Sequence, residues 1–139
     1  MPILNYTTKV PVSRTIQVIQ DKLSKAGASG ILCEYENGEP ERITFSIDTP
    51  HGLMYFKLPA NIAGVSKALS DDGCYRDEPH TRRVAWRILK DWIEAQLAII
   101  EAGMAELSQV FLPYAQTGTG ETVYERVASG DLKLLGGGG

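Results

Sequence analysis

Across residues 42–58 the apolar side chains keep a strict two-residue period. Ile43, Phe45 and Ile47 alternate with Arg42, Thr44, Ser46 and Asp48, and Met54, Phe56 and Leu58 alternate with Leu53, Tyr55 and Lys57. Only an extended chain sends successive side chains to opposite faces, so each run predicts a strand with one buried face. Between them stands Asp48-Thr49-Pro50-His51-Gly52. There Pro50 presets φ, His51 tolerates unusual backbone angles and Gly52 supplies a positive φ, so the stretch predicts a hairpin turn whatever the protein does. Upstream, Gly30–Glu36 reads as another strand and Asn37-Gly38 as a tight turn. With an N-terminal strand or extended piece, these runs predict a small, mainly antiparallel sheet of about three to four strands.

The other period in the chain is helical. Val12, Ile16, Ile19, Leu23 and Ala26 recur at helix spacing, with Ser13 placed to cap the start and Gly27 to close the end in the left-handed conformation. A short helix is expected from a capping Asn61 to Gly73, followed by a polar loop through residues 74–80. From Thr81, Trp86, Leu89, Ile93, Leu97 and Ile100 form one stripe and Ile88, Trp92, Ala95 and Ile99 a second beside it. So wide an apolar surface belongs either to a helix central to the fold or to half of a dimer contact. On its polar strip Arg87 with Asp91, and Lys90 with Glu94, have pair-forming spacing. Gly103 is placed to kink or break this helix, residues 104–112 to continue it, and Pro113 to stop it. No internal repeat or linker divides the chain. The expectation is one α+β domain over residues 1–115, with the sheet packed against the N-terminal helix and the long Trp-bearing helix. A C-terminal extension over 116–139 carries one short helix near Val123–Val127 and a flexible Gly-rich end.

Composition narrows the function classes. With 139 residues, 43% hydrophobic and 22% charged, the chain has the balance of a soluble globular protein. Its net charge of −3 argues against a dedicated duplex-DNA binder. Two cysteines, Cys33 and Cys74, make no disulfide framework, and no secretory leader or long apolar span is evident, so a reducing, cytoplasmic setting and no membrane are expected. Together with His51 and His80 they exhaust the Cys and His inventory. They are scattered without the short pairings of zinc sites, so no metal is expected. The acidic loop Asp71, Asp72, Asp77 and Glu78 lacks calcium-loop spacing. Asp48 and His51 could form a base pair of residues, but no nucleophile sits in a recognisable motif, and Gly118–Thr122 lacks the lysine of a phosphate-binding loop. An enzyme is therefore not expected, nor a cofactor.

What remains is the stretch His80–Trp92. Arg82, Arg83, Arg87 and Lys90 stand there beside Trp86 and Trp92, and no acid interrupts residues 81–90. Cations beside aromatics suit single-stranded nucleic acid, through phosphate contacts and base stacking, with Tyr55 or Tyr75 as stacking partners. The periodicity favours a plainer arrangement, with both tryptophans in the core and the arginines a solvated strip paired to Asp77, Glu78 and Asp91. A further possibility is a pocket at the 48–52 turn, where Asp48, Thr49, His51 and Gly52 offer backbone amides and polar groups to phosphate.

Two long stretches, residues 45–69 and 84–114, together with the opening residues 5–20, resemble a group of small bacteriophage, prophage and mobile-element proteins with no assigned activity. The likeness spans most of residues 4–114 and implies an accessory protein acting in the cytoplasm of a bacterial host. It carries over no binding or catalytic residue. The expected function is thus a non-enzymatic phage-type accessory protein binding single-stranded nucleic acid, as a homodimer or larger homo-oligomer. The alternative is a host-defence inhibitor that sequesters a small nucleotide signal or occludes a host protein.

Overall fold

The computed structural model describes residues 3–74 and 77–134. Helix α1 (Val12–Lys25) is followed by strands β1 (Gly30–Glu36), β2 (Glu39–Thr49) and β3 (Gly52–Pro59). Helix α2 (Ile62–Asp71), the long α3 (Glu78–Glu101) and the one-turn α4 (Leu107–Phe111) come next; a 3-10 turn (Leu112–Tyr114) and α5 (Val123–Ser129) complete the fold. The strands form one antiparallel sheet in the order β1-β2-β3, so the architecture is α+β. Among the described residues no helix is long and apolar enough to cross a membrane.

Turn chemistry sets both hairpins. Asn37 (φ 53°) and Gly38 (φ 79°) both take positive φ, the twist that lets a two-residue turn join two right-twisted strands. In the second turn Thr49 pairs with Gly52, and only Gly52 (φ 102°) carries positive φ. The Thr49 hydroxyl accepts from the His51 amide at 3.0 Å and donates to the Gly52 carbonyl at 2.9 Å.

The alternation in β2 and β3 fills the core as its period requires. Ile43, Phe45, Ile47, Phe56 and Leu58 lie beneath the sheet against Ile16, Ile19 and Leu23 of α1 and Trp86 and Ile93 of α3. Phe45 stacks on Phe56 at 5.2 Å, and Phe111 of α4 meets Phe45 edge-on at 5.5 Å. Helix α3 packs against both α1 and α2 while Leu89, Trp92, Leu97 and Ile100 also touch this core. Its central position therefore accounts for the first apolar stripe and for Trp92 of the second.

Several local expectations change. Ser13 is not the cap of α1: Pro11 precedes the helix, with its carbonyl accepting from Arg14 and Thr15. Residues 4–7 form a turn rather than a strand, pinned to α3 where Asn5 donates to Asp91 at 2.8 Å and the Tyr6 carbonyl lies 2.6 Å from His80 Nε2. Helix α3 begins three residues before Thr81 because Asp77 caps it, accepting from the His80 amide at 3.0 Å. Gly103 (φ 75°) ends α3, and α4 is a separate turn with its own Glu106–Gln109 capping box, so residues 104–112 do not continue α3.

Candidate nucleic-acid interface

The cations of α3 are placed unequally. Arg82 is only 11% exposed; its guanidinium reaches Glu41 at 2.9 Å, Glu78 at 3.1 Å and the Pro40 carbonyl at 3.2 Å, fastening the start of α3 to β2. Burial disfavours its charge, but the bonds to Glu41 and Glu78 outweigh that and raise its pKa. Lys90 is likewise buried and held between Asp91 at 2.8 Å and Glu94 at 2.6 Å. Arg83 reaches His80 Nδ1 at 3.4 Å, and its buried Nε has no partner among the described residues. Arg87 makes no ion pair among the described residues; the expected partner, Asp91, is taken by Asn5 and Lys90 instead. Trp86 is fully buried and Trp92 packs edge-on to Phe111 and Tyr114, so both tryptophans serve the core. Tyr75 lies outside the described residues.

The ion pairs of Lys90 have a pH signature. Burial pushes the Asp91 carboxyl up, but bonds from Lys90 and Asn5 pull it lower still, and the bond from Lys90 lowers Glu94. A carboxylate with a depressed folded pKa stabilises the fold above its unfolded value and loses that contribution as pH falls through the folded one. Stability from these pairs is therefore expected to hold from neutral pH to about pH 4, the unfolded carboxylate range, and to fall below it. Lys90→Met should flatten that acid limb in urea titrations run at a series of pH values, because the carboxylates lose the partner that depresses them.

The 48–52 turn does not bring its Asp and His together. Asp48 and His51 are exposed and make no bond to each other among the described residues, and the His51 ring lies 3.9 Å from Glu106, itself exposed. Cys33 and Cys74 form no disulfide, and burial pushes the Cys33 thiol up, away from reactivity. Among the described residues no cluster of His, Cys, Asp or Glu could hold a metal.

Aromatic and cationic groups instead meet on the other side of the sheet. Because Ile43, Phe45 and Ile47 point inward, the pleat sends Arg42, Thr44, Ser46 and Asp48 outward. The register sets beside them Leu32, Glu34, Leu53, Tyr55 and Lys57. Tyr55 is 49% exposed there, next to Ser46, whose other neighbour is Gly30.

The C-terminal segment builds a wall along this face. Ala115 bridges to Phe56, the Gln116 amide donates to the Tyr55 carbonyl at 2.8 Å, and the Val123 amide donates to Ala115 at 2.9 Å. Helix α5 is held by a capping box in which Glu125 accepts from the Thr122 amide at 2.8 Å, the main cause of its lowered pKa. This brings Tyr124, 64% exposed, and Glu125 beside Lys57 and Arg42. Together with Tyr114 they line a cavity of about 310 Å³.

Both cations there are only partly neutralised. Lys57 stands 3.9 Å from Glu125, a loose contact, and Arg42 has one close bond, 2.7 Å to Glu36, with Glu34 at 3.6 Å. A phosphate can compete for such groups where it could not compete for Arg82 or Lys90. The surrounding carboxylates keep the patch from being strongly basic, so binding here would lean on the tyrosines. Larger clefts exist: an apolar one of about 530 Å³ between α2 and α3, and one of about 550 Å³ where Glu39 and Glu78 accompany Arg82 and Arg83. The first has no charged group and the second is balanced by its own acids.

Of the groups expected to bind, the structure brings Tyr55 to this face, leaves Arg83 and Arg87 on α3, and commits Arg82 and Lys90 elsewhere. Arg42, Lys57, Tyr114 and Tyr124 were missed. For the first two the signal was present, since they hold the polar positions of the same alternations that bury Phe45 and Phe56. The chain matches no family model, no curated protein and no solved structure.

Proposed function

We propose that this chain is a non-enzymatic binding protein that holds single-stranded nucleic acid on the open face of its sheet, as an accessory protein of phage type in a bacterial cytoplasm. The observation that carries the reading is the cavity that exposed Tyr124 lines with Arg42 and Lys57, with exposed Tyr55 two residues from Lys57 on the same face of β3. A base has a ring to stack on, and its phosphate has the loosely paired Lys57 beside Arg42, whose one close bond is to Glu36. The overall charge of −3 and the mixed charges of the face fit a strand led by stacking better than a duplex led by phosphate contacts.

Fluorescence anisotropy with a labelled single strand tests this. Affinity is expected to fall with salt with a logarithmic slope of about −1.4, the value for two neutralised phosphates on a single strand. Arg42→Ala with Lys57→Ala should abolish most of that slope, whereas Arg83→Ala with Arg87→Ala should leave it. Salt-independent binding, or equal affinity for duplex, would sink the reading. The size of the cavity favours a second one, sequestration of a small nucleotide, since about 310 Å³ falls within the range of small-ligand sites. A nucleotide panel in thermal-shift assays separates the two, because a tight ligand must raise the melting temperature.

A further inference from the structure

The two edges of the sheet are treated differently. On β3 the chain covers its own edge, with Ala115 bridged to Phe56 and Gln116 bonded to Tyr55. On β1 no backbone or side-chain group among the described residues bonds to the main chain of the outer edge. An open edge is a template for another strand, and proteins that do not use one blunt it with proline, lysine or a covering segment. Gly30–Glu36 has neither proline nor lysine, its only charges are Glu34 and Glu36, and it exposes Leu32 (58%) and Tyr35.

We propose that this edge pairs with β1 of a second copy, antiparallel about a two-fold axis at Cys33. The strand is self-complementary in that register over its whole length. Gly30 faces the second Glu36, Ile31 the second Tyr35, and Leu32 the second Glu34, so no acid opposes an acid. Centring on Glu34 instead would set Glu34 against its own copy, and centring on Leu32 would leave Tyr35 and Glu36 without partners in the strand. In the Cys33 register Ile31 and Tyr35 form a cross-strand pair of β-branched and aromatic side chains. Because the axis is perpendicular to the sheet, both open faces lie on the same side of one six-stranded sheet. The pairing does not depend on what that face binds.

Size-exclusion chromatography with light scattering, run over a concentration series on the full chain, tests it. The wild type is expected at twice the chain mass of 15.2 kDa. Leu32→Glu places an acid opposite Glu34 twice, as a two-fold interface repeats every change, and should weaken the dimer by about tenfold or more. Leu32→Lys places a cation there and should keep the dimer or tighten it. Leu32 is exposed, so both variants should fold, with unchanged circular dichroism. A monomeric wild type, a dimer that survives Leu32→Glu, or a Leu32→Lys that dissociates as Leu32→Glu does would each overturn the proposal.

Discussion

Trp86→Ala is expected to destabilise the fold by about 3–5 kcal/mol, the range for truncating a large buried aromatic. Trp86 is fully buried where α3 meets the sheet and α1, and its indole nitrogen lies 3.4 Å from the Pro40 carbonyl. Truncation leaves a cavity that neighbours on three elements cannot close together, and the Pro40 carbonyl on β2 keeps only the side-chain bond from Arg82. Against a total stability of about 5–15 kcal/mol for an ordinary domain, this one change can leave the chain largely unfolded at room temperature. Urea denaturation followed by circular dichroism measures it, with the midpoint falling and the slope preserved. Arg87→Ala on the same helix is expected to stay within about 0.5 kcal/mol of the wild type, because it removes no ion pair seen in the structure. Comparable losses for the two would mean that the core is arranged otherwise.

Tyr55→Ala is expected to weaken single-strand binding by about 5- to 150-fold, the equivalent of about 1–3 kcal/mol for one stacked base. Stability should change little, since the ring is half exposed. Tyr55→Phe should keep most of the affinity, since a stacked base needs the ring face and not the hydroxyl. Anisotropy titrations at one fixed salt concentration read both variants. If Tyr55→Ala binds as the wild type does while remaining folded, stacking on this face is wrong and the aromatic face is available to another partner.

The α+β architecture was legible because each of its signals is local. Ile43, Phe45 and Ile47 carry the strand period, Asn37-Gly38 and Pro50 to Gly52 carry their turns in backbone preferences, and Asn61 caps α2 by bonding to the Gly64 amide three residues on. The misreadings were also local, at element ends where two chemistries compete. Ser13 is a good capping residue two positions too late, because Pro11 already presets the chain to enter the helix. Asp77 was read as part of a loop although an aspartate before Glu78-Pro79 is a good start signal. At residues 104–112 the apolar period runs on past Gly103, yet its left-handed φ breaks the helix, and Glu106 caps a new one.

The candidate site was the opposite case. From sequence, Arg82, Arg83, Arg87 and Lys90 are four cations without an acid among them. The acid that decides the fate of Arg82 is Glu41, forty-one residues away on β2, and one contact to Asp91 comes from Asn5, eighty-six residues distant. Tyr124 reaches Lys57 only because Gln116 and Val123 tie the C-terminal segment to β3. By itself the sequence determined where the chain is extended, helical or turned, since backbone preference and the period of burial act over a few residues. Only the tertiary structure decided which charges are spent and which aromatic rings stay open, because ion pairing and burial depend on neighbours that the folding of distant segments brings together.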